Sequence, residues 1–143
     1  MYSGKSELTL DDKGRLAIPA RYRPQLLEQC AGRLVVTVDV EPCLLIYPAD
    51  TWKAFADRLM ALNEFNPRAK QVRRHFLGHA EELEMDKQGR LQLTPALRAA
   101  VALERQIVLA GQGNKFELWA ADAWQAQLDE APIDGQLLAD LEI

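Results

Sequence analysis

One pattern of residues occurs twice in this chain, and it restricts the possible folds more than any other feature. The sequence Asp-x-x-Gly-Arg-Leu begins at Asp11 and begins again at Asp86. A second match lies downstream of each copy, where Tyr47–Trp52 corresponds to Trp119–Trp124. Because such self-similarity is the signature of a repeated structural unit, we predict two related units in one chain. The predicted divisions are a first unit at 7–54, a helical linker at 55–80, a second unit at 81–126 and an acidic tail at 127–143.

The composition is that of a globular protein in a reducing compartment. Of the 143 residues, 48% are hydrophobic and 27% are charged, which is typical of soluble domains. No apolar run approaches the roughly 20 residues needed to cross a bilayer, and the first residues contain no apolar signal core. Cys30 and Cys43 lack a metal-binding spacing, so we predict two buried, reduced thiols. These features together predict a cytoplasmic protein without a membrane partner.

The net charge of −4 conceals an uneven distribution. The sequence from Glu117 to Ile143 contains acidic residues but no lysine or arginine. All 17 basic residues therefore lie in the preceding part of the chain, which carries a net positive charge. Since phosphate binding depends on the local electrostatic field, the total charge does not exclude a nucleic-acid partner.

Each copy of the repeated pattern is predicted to form a β-hairpin. Glu7–Leu10 alternates polar and apolar residues as a half-buried strand does, and Arg15–Ile18 resumes the strand. The residues of Asp11–Gly14 favour a turn, because Asp tolerates turn positions and Gly accepts a positive φ without steric cost. The second copy has the same arrangement, with its turn at Asp86–Gly89. Basic residues would therefore be presented at two hairpin tips.

The other segments alternate short strands with short helices. Leu34–Val38 and Cys43–Tyr47 are predicted to pair as strands. Asn66 followed by Pro67 is typical of a helix start, and Gly78 is expected to end that helix. The predicted fold class is mainly β with flanking α-helices (α+β).

Each unit alone is too small to bury a sufficient core. Two units solve this problem by sharing strands about a pseudo-twofold axis, so we predict interleaved sheets within the chain. Exposed sheet edges invite pairing between chains, which predicts a homo-oligomer. The tail has leucines in helical register, and it is interpreted as a packed helix, a partner contact or a disordered segment: Leu137, Leu138 and Leu141.

The sequence offers little support for catalysis. His75 and His79 have the i, i+4 spacing of a metal-binding pair, but Gly78 is expected to break their helix, and ordinary packing or capping is favoured. Asp11 and Asp12 are more typical of a turn than of an acid/base pair. No nucleophile, phosphate-binding or dinucleotide-binding motif occurs. We therefore predict that the chain is not an enzyme and has no catalytic residue, metal, cofactor or small-molecule substrate.

A binding role explains more of the sequence. The basic residues predicted at the two tips are Lys13, Arg15, Lys87 and Arg90. Arginine carries several donors in a fixed plane, which suits phosphate oxygens and the edge of guanine. Asp11 and Asp86 would hold these arginines in one rotamer and reduce the entropy lost on contact. The alternative is that each Asp–Arg pair only stabilises its own hairpin, and the duplication favours binding.

Four segments together resemble the MraZ family of bacterial transcriptional regulators, which is related to the AbrB/SpoVT swapped-hairpin DNA-binding proteins. They are Asp-x-Lys-Gly-Arg-Leu-x-Ile-Pro at Asp11–Pro19, Asp-x-x-Gly-Arg at Asp86–Arg90, Leu-Gly-His-Ala at Leu77–Ala80 and Asn-Lys-Phe-Glu-Leu-Trp at Asn114–Trp119. The resemblance extends from about Gly4 to Trp124. It implies a pseudo-twofold, duplicated swapped-hairpin β-barrel of double-ψ-like type, with helices around it.

The resemblance also implies a function. A nucleoid-associated ring of subunits would bind double-stranded DNA at direct repeats in the promoter of the division and cell-wall gene cluster that encodes it, generally as a repressor. The family's Asp-x-x-x-Arg signature of DNA-contacting loops corresponds here to Asp11 with Arg15 and to Asp86 with Arg90. Arginines one helical turn beyond the second strand reach DNA in the wider group, and the matching positions are Arg23 and Arg98. The second copy has Gln88 in place of Lys13 and Thr94 in place of Pro19, so the first tip is ranked higher.

Three alternatives remain open at this point. The basic helix could contact DNA instead of the hairpins, through Arg68, Lys70, Arg73 and Arg74, although these residues also suit a solvated face or salt bridges to a neighbouring subunit. An antitoxin of the same hairpin class would bind DNA and a toxin, but such proteins usually carry one unit. A scaffold without DNA binding would assemble other proteins through the acidic segment Leu137–Ile143.

Overall fold

The structure, a computed structural model, describes all 143 residues. Eight strands and six helices follow one another in short segments, with a 3-10 turn at Ala20–Tyr22. The elements are β1 (Lys5–Thr9), β2 (Arg15–Ala17), α1 (Arg23–Cys30), β3 (Arg33–Val38), β4 (Leu44–Pro48), α2 (Ala49–Met60), α3 (Pro67–His79), β5 (Glu81–Glu84), β6 (Arg90–Gln92), α4 (Pro95–Ala100), β7 (Gln106–Gly111), β8 (Phe116–Ala120), α5 (Ala121–Glu130) and α6 (Gly135–Asp140).

The strands form two antiparallel sheets. Six strands lie in the order β1-β7-β8-β4-β3-β5, and β2 pairs only with β6. The predicted antiparallel α+β class is confirmed. The predicted closure into a barrel is not observed, because β1 and β5 lie at opposite edges of the larger sheet, and the double-ψ-like topology is not confirmed.

The two units exchange strands, and this corrects the predicted hairpins. β1 does not pair with β2; it pairs with β7 of the second unit, while β3 pairs with β5. The chain turns sharply after Leu10, and β2 then pairs with β6, where Leu16 lies opposite Leu91. Both leucines are almost fully buried, at 1% and 0% exposure. Burying these two side chains against each other favours the exchange, and the predicted interleaving is confirmed.

One hydrophobic core joins both units. Its cluster of 21 buried residues includes side chains from every strand pair that crosses between the units. Phe116 of the second unit packs between two aromatic rings from the N-terminal part of the chain, with centroids 4.7 Å from Tyr2 and 4.9 Å from Tyr22. Aromatic rings contribute a large share of core stability, so neither unit has a complete core of its own.

Several local predictions are confirmed and one is wrong. β3 and β4 pair in register, with Val36 opposite Ile46. The side chain of Asn66 caps α3 by accepting hydrogen bonds from two backbone N–H groups, as predicted. Gly78 does not end α3, which continues to His79. Gly78 has no positive φ, so it takes no part in a helix-ending turn.

The tail and the cysteines complete the fold. Asp134 caps α6 by accepting a hydrogen bond from the backbone N–H of Leu137, and residues 131–143 are all exposed. The tail is therefore helical but does not pack against the core. Cys30 and Cys43 are free and buried, as predicted. None of the helices has both the length and the apolar character needed to cross a membrane.

Candidate nucleic-acid interface

The first repeated turn is held together by a single carboxylate. Asp11 Oδ1 accepts hydrogen bonds from the backbone N–H groups of Lys13, at 2.9 Å, and Arg15, at 2.8 Å. Asp11 Oδ2 accepts from Arg15 Nε at 2.7 Å. Gly14 takes a φ of 78°, which permits the tight reversal. One Asp side chain thus fixes both the backbone of the turn and the rotamer of its arginine.

The second turn reproduces this geometry. Asp86 Oδ1 accepts from the backbone N–H groups of Gln88 and Arg90, each at 2.9 Å, and Oδ2 accepts from Arg90 Nε at 3.0 Å. Gly89 has a φ of 77°. The duplication is therefore retained in three dimensions down to individual hydrogen bonds.

Each Asp–Arg pair leaves most of the guanidinium available. Only Nε of Arg15 and Nε of Arg90 bond to a carboxylate, and the Nη groups of both make no hydrogen bond within the chain. The side chains remain 28% and 35% exposed, respectively. Two parallel donors of a guanidinium match the oxygens of a phosphate or the O6 and N7 atoms of guanine. The pairs therefore orient the arginines without occupying the atoms that a nucleic acid would contact.

The ribbon of β2 and β6 brings the two arginines onto one surface. Arg15 lies opposite Gln92, and Arg90 lies opposite Ala17. Side chains alternate between the faces of a strand, so the buried Leu16 and Leu91 leave Arg15 and Arg90 on the outer face. Measured along the strands, the positions of Arg15 and Arg90 are offset by two residues, which is about 7 Å. Both guanidinium groups can therefore reach one stretch of nucleic acid.

Arg23 and Arg98 support the turns reciprocally across the two units. A Cβ atom added to Gly14 would lie 2.7 Å from Arg98 Nε, and one added to Gly89 would overlap with Arg23. Arg23 Nε donates to the carbonyl oxygen of Ile18 at 2.6 Å, whereas Arg98 Nε is buried without a partner. Each arginine therefore covers the turn of the other unit. The sequence placed both residues near the site, but only the strand exchange shows which turn each one meets.

The two tips differ in their lysines. Lys13 and Lys87 are both exposed and neither forms a salt bridge. The carbonyl oxygen of Lys13 accepts from Gln92 Nε2 at 2.9 Å, which ties the first tip to β6. The structure thus brings all the predicted basic residues and both aspartates together at the two turns and the helices that follow them.

We expect the Asp–Arg pairs to produce a measurable acid dependence of stability. The backbone N–H of Arg15 is the largest factor that holds the pKa of Asp11 below its usual value of 3.8, and the backbone N–H of Arg90 does the same for Asp86. A lowered folded-state pKa means that the ionised carboxyl stabilises the fold above the usual pKa. This stabilisation disappears as the pH falls through the lowered value.

The test compares the wild type with Asp11→Asn/Asp86→Asn by urea unfolding, from neutral pH to below the lowered pKa. The free energy of unfolding of the wild type should decrease more steeply on acidification, and the two curves should converge at the acidic end. Curves that stay parallel throughout would show that these carboxyls do not stabilise the fold.

Each of the two histidines places one ring nitrogen against the backbone. His75 Nε2 lies 3.0 Å from the carbonyl oxygen of Val38 and 3.1 Å from that of Asp39. His79 Nδ1 lies 2.7 Å from the carbonyl oxygen of His75. One nitrogen of each ring therefore contacts a backbone carbonyl, in line with the packing and capping role that the sequence favours.

A cluster of acid groups was not anticipated from the sequence. Asp39, Cys43 and Glu117 bring one side-chain ligand atom each within 4.8 Å of one another. Burial is the largest cause that raises the pKa values of Cys43 and Glu117. The Cys43 thiol lies 3.6 Å from Asp39 Oδ2, and Glu117 accepts hydrogen bonds from Gln112 and Trp119. Such groups could hold a divalent cation, but donors of the chain itself already engage them.

The comparisons with known proteins all point to the same family. A family model described as "MraZ protein, putative antitoxin-like" matches the chain twice, at residues 1–75 and 76–136. A protein named transcriptional regulator MraZ from Nitrosospira multiformis is 46% identical over 131 residues, which cover 92% of this chain and 89% of that relative. The protein of that name from Escherichia coli O9:H4 is 46% identical over 140 residues, with coverage of 97% and 91%. The one from Nitrosomonas eutropha is 43% identical over 144 residues, with coverage of 99% and 97%.

Proposed function

The chain belongs to the MraZ family, and from that premise we propose that it is a sequence-specific, DNA-binding transcriptional regulator. The single observation that carries the proposal is the duplicated turn, in which an aspartate orients an arginine and leaves its Nη groups free. The name of the relatives supports the regulatory role. The proposed working surface is the outer face of the β2–β6 ribbon.

The dimensions of this ribbon suit the major groove. The groove of B-form DNA is about 12 Å wide and admits a two-stranded β-ribbon. Arg15 and Arg90 are proposed to donate to base edges or phosphates, while Lys13 and Lys87 contact phosphates as point charges. Arg23 and Arg98 are proposed to contact the backbone from the turns that they cover. The ordering of the guanidinium groups before binding reduces the entropy that binding costs.

We propose that the protein represses its own division and cell-wall gene cluster from the cytoplasm, where it associates with the nucleoid. A ring of subunits would place one ribbon on each of several direct repeats, and linked contacts then act at a high effective concentration. The division into units at 7–54 and 81–126, a linker and a tail also remains a proposal.

DNA binding should weaken steeply with salt. Cations that neutralise phosphates release condensed counterions, so the logarithm of affinity falls linearly with the logarithm of salt concentration, with a slope near −0.9 for each phosphate contacted. Four to six phosphate contacts per subunit, depending on whether Arg15 and Arg90 reach base edges or phosphates, predict a slope of about −4 to −5 for one site. Fluorescence anisotropy on a duplex from upstream of the gene, titrated at several salt concentrations, measures this slope. A flat plot would remove phosphate contacts from the proposal.

The structure offers one rival nucleic-acid surface, the basic helix α3. Arg68, Lys70 and Arg74 form no salt bridge, and only Arg73 lies near a carboxylate, at 3.8 Å from Glu64. These side chains have no orienting partner comparable to Asp11. The ribbon is therefore the better candidate.

A further inference from the structure

The outer face of the β2–β6 ribbon has two positions that are alike and two that differ. Arg15 and Arg90 occupy equivalent places in the two copies of the repeat. The other two positions are Ala17 and Gln92, and each lies six residues after the aspartate that begins its copy. Both are exposed, and the residues before and after each of them are buried. The pseudo-twofold symmetry of this face is therefore broken at one pair of side chains.

The side chain of Gln92 is oriented by the first turn. Gln92 Nε2 donates to the carbonyl oxygen of Lys13 at 2.9 Å, whereas Gln92 Oε1 makes no hydrogen bond within the chain. Because the amide nitrogen carries two hydrogens, one N–H and the amide oxygen stay available. Ala17 can make no such bond, so only the first turn is tied to the opposite strand by a side chain of the outer face.

The available atoms of Gln92 match one base. In the major groove, adenine presents its N7 acceptor beside its N6 amino donor, and a glutamine amide bonds to both atoms at once. Guanine presents two acceptors at the same edge, which suit the donors of an arginine instead. A glutamine next to an arginine therefore suits an adenine near a guanine.

The register of the ribbon sets the distance between these two contacts. Arg15 lies directly opposite Gln92, and residues opposite each other in an antiparallel pair have Cα atoms about 5 Å apart. Base pairs follow one another every 3.4 Å or so along the duplex. The two side chains can therefore reach neighbouring base pairs, or base pairs with one other between them.

We propose that Gln92 reads an adenine within two base pairs of the contact made by Arg15, and thereby gives the ribbon one preferred direction on DNA. The inference rests on the proposed function and names the base and the polarity that the ribbon recognises. Twofold symmetry in a protein favours a palindromic site. The contrast between Gln92 and Ala17 removes that equivalence, so each recognised element is asymmetric, and repeated elements run in the same direction.

The turns also differ between the copies, but that difference does not supply the same information. Lys13 in the first turn corresponds to Gln88 in the second. Lysine contacts with phosphates fix the position of a protein on DNA without reading its sequence. A Gln92 that only stabilised the first turn would likewise affect all duplexes equally. Discrimination at one base pair is therefore the property that separates base reading from a structural role.

A scan of single base pairs tests the inference on the full chain. Each A·T pair of the duplex from upstream of the gene is replaced in turn by G·C, and each G·C pair by A·T. Fluorescence anisotropy measures the affinity of every duplex for the wild type, for Gln92→Ala and for the control Gln106→Ala. Gln106 is exposed at the start of β7 and lies outside the ribbon.

We expect the wild type and the control to lose affinity about tenfold when one A·T pair is replaced, at a position within two base pairs of a required guanine. Gln92→Ala should bind that duplex and the original one with affinities within about twofold of each other. Its sensitivity at the required guanines should remain, because both arginines are unchanged.

A second variant tests the inference by a gain of recognition. In Ala17→Gln, the new side chain can donate to the carbonyl oxygen of Gln88, as Gln92 does to that of Lys13. This variant should acquire a preference of about tenfold for an adenine at the position related by the pseudo-twofold axis. A new preference of this kind cannot come from a damaged fold.

Three results would overturn the inference: a base-pair profile of Gln92→Ala equal to that of the wild type, an equal loss of affinity on every duplex, or no new preference in Ala17→Gln. If the wild type still prefers the upstream duplex to a scrambled one, only the inference fails and the DNA-binding function stands. A wild type that binds all duplexes equally would contradict the proposed function itself, and the inference with it.

Discussion

Replacing Arg15 and Arg90 together with alanine should weaken binding to the upstream DNA at least about 30-fold, without loss of the fold. Each oriented arginine contact is worth about 1–3 kcal/mol, and about 1.4 kcal/mol corresponds to a factor of ten. Both side chains lie on the outer face of the β2–β6 ribbon, whereas Leu16 and Leu91 pack on its buried inner face. Their removal should therefore leave the free energy of unfolding within about 1 kcal/mol of wild type, apart from the lost pairs with Asp11 and Asp86.

The matched control removes two arginines that have no place in the ribbon. Arg33→Ala/Arg105→Ala makes the same change of charge at two exposed positions and should weaken binding only slightly. Arg15→Lys/Arg90→Lys separates charge from geometry, since lysine keeps the charge but lacks the planar fork. Equal affinities for the alanine variant and its control, at matched salt, would remove the ribbon arginines from the proposed interface.

A large effect on stability is expected at Gly14. An alanine there would adopt a φ of 78° and place its Cβ 2.8 Å from the carbonyl oxygen of Leu93. A positive φ costs a non-glycine residue about 1–3 kcal/mol. The clash also displaces the backbone just after β6, where the Leu93 N–H donates to the carbonyl oxygen of Gly14 at 2.8 Å. We expect Gly14→Ala to lower the free energy of unfolding by about 2–4 kcal/mol, measured in urea.

Two other glycines provide controls for this measurement. Gly113 has a φ of 89° but no atom within 4 Å of an added Cβ, so Gly113→Ala reports backbone strain alone and should cost about 1 kcal/mol. Gly78 lies inside α3 with open space around it, so Gly78→Ala should stabilise the protein by about 0.5–1 kcal/mol. Equal losses for Gly14→Ala and Gly113→Ala would mean that the close approach of the two units at Gly14 has no energetic weight.

The sequence predicted the local chemistry of the turns well. Gly14 and Gly89 indicated positive φ, Asn66 indicated a helix cap, and the Asp–Arg spacing indicated an oriented arginine. Each of these depends on residues within a few positions of one another, where the chain geometry is nearly fixed. Such local signals therefore hold whichever strands pair in the rest of the fold.

Long-range pairing was harder to predict. Alternation in Glu7–Leu10 and Arg15–Ile18 indicates strands but does not say which strands pair, and a tight turn between two strands normally indicates a hairpin. The exchange is favoured instead by the contact of Leu16 with Leu91, which joins the two units. The support of Gly89 by Arg23 follows from that exchange. The same is true of the cluster of Asp39, Cys43 and Glu117, since Asp39 and Cys43 lie between β3 and β4 while Glu117 lies on β8 of the second unit.

The most direct test of DNA recognition compares two duplexes of equal length and composition at near-physiological salt. One carries the sequence immediately upstream of this protein's gene, and the other is a scrambled version. Regulators typically bind specific sites about 10³-fold or more tightly than other DNA, so the wild type should prefer the upstream duplex by about that factor and should lose the preference in Arg15→Ala/Arg90→Ala. Equal binding to both duplexes, or binding to neither, would contradict the proposal that this chain recognises its own promoter through the β2–β6 ribbon.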